Sequence, residues 1–142
     1  MARGQKQVSP WVRNALRWGP LVSWMAIIYL FSSRPDLPHM EQLWLELLIR
    51  KLAHALEYGI LGALLARAIG VRGWRAVALA ITLGALYAAS DEWHQTFVLG
   101  RHGSAWDVLL DSASVMVGVC CYARMPALSA KKRSHAKADS QS

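Results

Sequence analysis

Residues 51–69 read KLAHALEYGILGALLARAI. This is an apolar run of the length that crosses a bilayer, whose hydrocarbon core takes about 20 helical residues, with a range near 17 to 25. Its first two turns nevertheless carry Lys51, His54, Glu57 and Tyr58. Ionisable groups inside such a run are costly and usually face a partner or a water-filled cavity. Lys51, His54 and Tyr58 fall at i, i+3 and i+7, one face of a helix, with Gly62 a turn further along. Glu57 lies about 60° round from His54 at about 100° per residue. Lys51 by itself is also explained by snorkelling to the interface, and His54 by ordinary packing. For the whole set that reading is weaker.

Three further apolar runs accompany it, so residues 18–33, 52–69, 74–89 and 106–122 predict an all-α bundle of four transmembrane helices. The first is short and can borrow length from residues 12–17; no cleavage site of the small-x-small kind follows it, so it reads as a retained span. A chain of 142 residues with 54% hydrophobic content allows one domain and is too apolar for an ordinary soluble one. The net charge of +7 does not point to nucleic acid, which requires a solvated basic face without long apolar runs. Cys120 and Cys121 are adjacent, too close for an ordinary disulfide and without metal-ligand spacing, and read as small apolar fillers.

Charge is separated along the chain. Twelve of the sixteen basic residues precede the first run, join the second to the third (Arg67, Arg72, Arg75), or follow the fourth. The other side holds Arg34, Arg50, Lys51 and Arg101 together with eight of the nine carboxylates, all but Asp139. The positive-inside rule therefore places both termini in the cytoplasm and the acidic side outward, in a multi-pass protein of the cell membrane. Trp18 and Trp74 inside, and Trp44, Trp93 and Trp106 outside, suit interfacial aromatic belts; Trp11 and Trp24 fit less clearly. Residues 1–17 form a basic cytoplasmic start. Residues 39–50, with apolar positions at helical spacing, read as a surface amphipathic helix or an extension of the second span. Residues 123–142 read as a basic, disordered cytoplasmic tail.

The third run ends in Asp91, Glu92 and Gln95 on one helix side, continued inward by Ala88 and Gly84. Two carboxylates at a helix C-terminus oppose the dipole, so a cation is expected beside them, Lys51 or Arg101, or else a metal. Ser104 and Asp107 have capping-box spacing, an adequate structural explanation for Asp107. Asp111, a turn deeper, has none; with Ser114 and Gly118 it makes a polar or small stripe facing the other helices.

Ser32-Ser33, Lys51-x-x-His54-x-x-x-Tyr58, Asp91-Glu92-x-x-Gln95, Gly100-Arg101, Asp107 and Gly118, in that order over residues 18–122, resemble the VanZ-like membrane protein family. Lys51, His54, Tyr58, Asp91, Glu92, Gln95, Arg101 and Asp107 occupy its signature positions. Asp111 stands where the family often has Asn, and Ser114 where Gly is common. The resemblance implies a place in the cell envelope; the founding member is associated with resistance to teicoplanin, which acts on cell-wall precursors at the outer face. Extension of antibiotic resistance to this chain is family-level analogy.

Three functional readings follow. In the first, Lys51 and Arg101, with Tyr58, Gln95 and Asp107, bind the phosphate of an anionic lipid headgroup or lipid-linked cell-wall intermediate. In the second, an enzyme, His54 and Glu92 transfer protons, Glu57 or Asp91 orients His54, and Arg101 neutralises developing charge; no nucleophile motif accompanies them. In the third, the charges are interhelical bridges or dock a partner. A metal site among Asp91, Glu92, Asp107, Asp111, His54 and His94 is subsidiary, since the spacing matches no named site. No broken helix or internal repeat supports transport. The residues name no cofactor and fix no oligomeric state. A reporter inserted after Gly100 should read out as extracytoplasmic in a topology assay; a cytoplasmic readout overturns the orientation.

Overall fold

In the structure, a computed structural model, residues 9–35, 43–101 and 103–139 are described, with side chains to Met125 except at Leu43 and Glu46. Four helices form: α1 (Pro10–Ser32), α2 (Leu43–Ile69), α3 (Trp74–Gln95) and α4 (Ala105–Asp139). No strand occurs among the described residues. Asp36, Met40, Glu41 and His102, and the readings made on residues 1–8, lie outside them.

Three helical stretches are long and apolar enough to cross a membrane: Pro10–Ser32, Leu47–Ile69 and Ala105–Met125. The first gains its length by starting at Pro10, where Ser9 caps it by accepting the Val12 N–H on its side chain. The second continues upward without a break, so the described part of residues 39–50 is an extension of α2 and not a separate surface helix. α3, at 22 residues, has the length but carries Arg75, Asp91, Glu92 and His94, and does not reach the composition of the other three. α4 runs on beyond residue 122 and is helical through Asp139, where Ala, Lys and Arg favour helix.

α2 is the centre. It packs against all of the other three helices, α3 touches both α1 and α4, and among the described residues α1 and α4 have no packing contact. The closest approach is between α2 and α4, and it depends on missing side chains. A Cβ on Gly118 would strike the Gly59 carbonyl, and one on Gly62 would strike the backbone of Val115. Tyr58, Leu61, Leu65, Ala66, Val115 and Val119 are buried between the helices. Outward-facing apolar side chains such as Leu52, Leu56, Leu86, Leu109 and Val117 suit a hydrocarbon surround. Cys120 and Cys121 are both free thiols.

The end of the bundle where α2 stops is locked by arginines. Pro20 inside α1 has no N–H to give to Leu16, and the carbonyl so released accepts Arg67 Nη2 at 3.1 Å. Arg17 answers from α1, donating Nη2 to the Ile69 carbonyl at 2.9 Å and Nε to Ala68, two of the orphan acceptors at the end of α2. Gly70, at φ 71°, closes α2 with its own N–H and that of Val71 on the Ala66 carbonyl. Higher up, Trp24 donates its indole N–H to the Glu57 carbonyl at 2.9 Å and Tyr87 its hydroxyl to the Met25 carbonyl at 2.7 Å. Trp24 therefore belongs to the bundle interior, while Trp18, Trp44, Trp74, Trp93 and Trp106 are exposed.

Gly118→Leu should lower the melting temperature in detergent by about 5 °C or more, the ordinary cost of overpacking a close contact. Gly19→Ala, where an added methyl meets nothing within 4 Å, should leave it unchanged. Equal melting of the two variants would show that α2 and α4 do not pack as described.

Candidate functional site

Asp91 is the polar centre at the end of the bundle where α3 stops. It is 4% exposed, and its Oδ2 accepts the Ser32 hydroxyl of α1 at 2.7 Å, the Tyr58 hydroxyl of α2 at 2.9 Å and the Gln95 amide at 3.1 Å. Gln95 reaches Asp91 because the two are one turn apart on α3. The expected cation is replaced at Asp91 by these neutral donors, and among the described residues Asp91 Oδ1 has no partner. Beside this node, on the α1 side, His94 stacks on Tyr29 at 4.6 Å and lies 3.1 Å from the Ser33 hydroxyl.

Glu92, next in sequence, points the other way and accepts the Ser104 backbone N–H at 2.8 Å. In a capping box that amide would go to the carboxylate three residues on, Asp107. Here α3 supplies the acceptor, and Asp107 is freed to pair with Lys51 of α2. Between the two helices the chain turns on Gly100, whose φ of 79° suits the third position of a turn closed by the Arg101 N–H on the Val98 carbonyl at 3.1 Å. That turn sets Arg101 over the gap between α2, α3 and α4. One turn below Asp107, the buried Asp111 faces His54, with Nδ1 to Oδ2 at 3.6 Å. The carboxylate beside His54 is therefore Asp111, not Glu57 or Asp91; Glu57 is half-buried, and its backbone carbonyl is held by Trp24.

These groups enclose a cavity of about 280 Å³, lined by Leu47, Arg50, Lys51, His54, Glu92, Gln95, Gly100, Arg101, Asp107, Leu110 and Asp111. Of the residues singled out from sequence, Lys51, His54, Glu92, Gln95, Arg101 and Asp107 meet here. Tyr58 and Asp91 do not line it; they form the adjoining node, joined to it by Gln95. Arg50 and Ser32 were not anticipated as site residues. Arg50 carries a readable signal, one turn before His54, and Ser32 sits in the polar pair that closes α1.

Among the described residues, two polar atoms of the cavity's side chains are buried without a hydrogen-bond partner: Arg101 Nε, a donor, and Asp111 Oδ1, an acceptor. Such atoms are costly unless something meets them. Among the described residues no three His, Cys, Asp or Glu side chains are grouped to share a metal ion.

Fold and site together define an all-α, apolar protein with a polar cavity built where three helices meet. The chain belongs to the VanZ/LLP1 family, whose model matches residues 3–126. No curated protein and no solved structure matches it.

Proposed function

We propose that this chain is a multi-pass protein of the cell membrane, with both termini cytoplasmic, whose cavity opens at the outer face and binds the phosphate of a lipid headgroup or lipid-linked cell-wall intermediate. Three apolar helices support the membrane setting. α3 completes the bundle as a fourth span, since 22 residues rise about 33 Å, near the thickness of the hydrocarbon core. The uneven distribution of basic residues supports the orientation. Through a wall intermediate the site would connect to glycopeptide-type antibiotic resistance.

One observation carries the ligand: Arg101 presents a buried, unpartnered Nε–H to a cavity that also holds Arg50 and Lys51. A guanidinium matches phosphate oxygens in geometry and charge. Lys51 is committed to Asp107, but that pair is 51% and 33% exposed at its two side chains, and exposed pairs contribute only about 0–1 kcal/mol. The lysine can turn to a ligand at little cost. The volume is at the small end for ligand pockets, which favours a headgroup over an extended sugar chain inside it.

A second reading has its own observation. His54 and Asp111 face each other in the cavity that Glu92 also lines, an arrangement suited to acid–base chemistry on a bound ester.

Arg101→Gln should reduce retention of anionic lipid through purification about tenfold, and Lys51→Ala by less, because its charge is already shared with Asp107. Quantitative lipid mass spectrometry of the purified variants measures this, and retention unchanged in both rejects the phosphate site. Incubation of the wild-type complex separates the two readings: lipid recovered intact marks a binding protein, lipid recovered cleaved marks an enzyme.

A further inference from the structure

The cavity's two unsatisfied atoms have opposite hydrogen-bonding sense. Arg101 Nε can only donate, and ionised Asp111 Oδ1 can only accept. A phosphodiester with no further polar group, which offers oxygens alone, would satisfy the arginine and place negative charge near a buried carboxylate. Asp111 is 2% exposed, so little solvent screens that repulsion. His54 faces the other carboxylate oxygen, Oδ2, at 3.6 Å, and supplies no hydrogen bond to Oδ1. Of the other charged groups lining the cavity, Lys51 pairs with Asp107, Glu92 accepts the Ser104 amide, and Arg50 stands beside Lys51.

Resting on the phosphate reading above, we infer that the ligand is a phosphodiester whose headgroup also carries a hydrogen-bond donor, an ammonium or a hydroxyl, within a few bonds of the phosphorus. The phosphate meets Arg101, and the donor meets Asp111 Oδ1. One ligand then satisfies both buried atoms. The same geometry discriminates against headgroups without a donor, because binding them leaves Asp111 Oδ1 desolvated and unpaired.

The full chain in nanodiscs of neutral carrier lipid, doped in turn with phosphatidylethanolamine, phosphatidylglycerol, phosphatidylcholine and phosphatidylmethanol, tests this by native mass spectrometry of the retained lipid. The first two headgroups carry donors; choline keeps the charge without an N–H, and methanol keeps the phosphodiester alone. The expected result is at least about tenfold greater retention of the ethanolamine and glycerol lipids over the choline and methanol lipids. Asp111→Asn should reduce that preference and raise the methanol lipid's retention, because the buried carboxylate that penalises a donor-less headgroup is gone. If Asp111→Asn does not accumulate, the wild-type comparison decides alone. Equal retention of all four lipids, each lowered by Arg101→Gln, overturns the donor inference and leaves the phosphate site standing. Retention of all four that is indifferent to Arg101→Gln overturns both.

Discussion

A single carboxylate oxygen, Oδ2 of Asp91, holds hydrogen bonds from α1, α2 and α3 at once. Burying a carboxylate is expensive, and here the cost is offset by three donors that reach it only if Ser32, Tyr58 and Gln95 stand at one height. The interaction therefore acts as a register mark for this end of the bundle. At the opposite end the reciprocal arginine contacts, Arg17 on α2 and Arg67 on α1, fix two of the same helices from the other side. Between these ends the contacts are mostly apolar and close, with the Trp24–Glu57 and Tyr87–Met25 bonds as further ties.

The cavity follows from that register. With α3 fixed by Asp91, the adjacent Glu92 is directed to the opposite side, where it takes the Ser104 amide and sets the start of α4. Asp107 and Asp111 then fall opposite Lys51 and His54 of α2, and the Gly100 turn brings Arg101 across the top. Gly118 against Gly59 and Gly62 against Val115 keep α2 and α4 near enough for those pairs to form. Adjacent carboxylates at the end of α3 thus have separate tasks: one ties the helices together, and the other shapes the site.

Much of this was legible in the residues. Lys51, His54 and Tyr58 share a face because they are spaced at helical intervals, and the polar end of the third run announced a site rather than a surface. The partners were less legible. Which carboxylate meets which base depends on the relative heights of helices, and spacing within one helix says nothing of that; so Asp111 stands beside His54 where Glu57 or Asp91 was expected. Asp107 has capping-box spacing, yet Glu92 from another helix takes the amide, a competition no local pattern records. α1, α2 and α4 are apolar enough to cross a membrane, whereas the polar end of α3 carries Asp91, Glu92 and His94 and leaves it below that composition.

A double-mutant cycle on Tyr58→Phe and Asp91→Asn, followed by reversible unfolding in mixed micelles, addresses the register mark itself. If the Tyr58 hydroxyl and the Asp91 carboxylate are bonded in a buried network, the two effects should be non-additive by about 1 kcal/mol or more. Additivity to within about 0.3 kcal/mol would contradict the account, because the oxygen on which the three helices converge would not be held by α2.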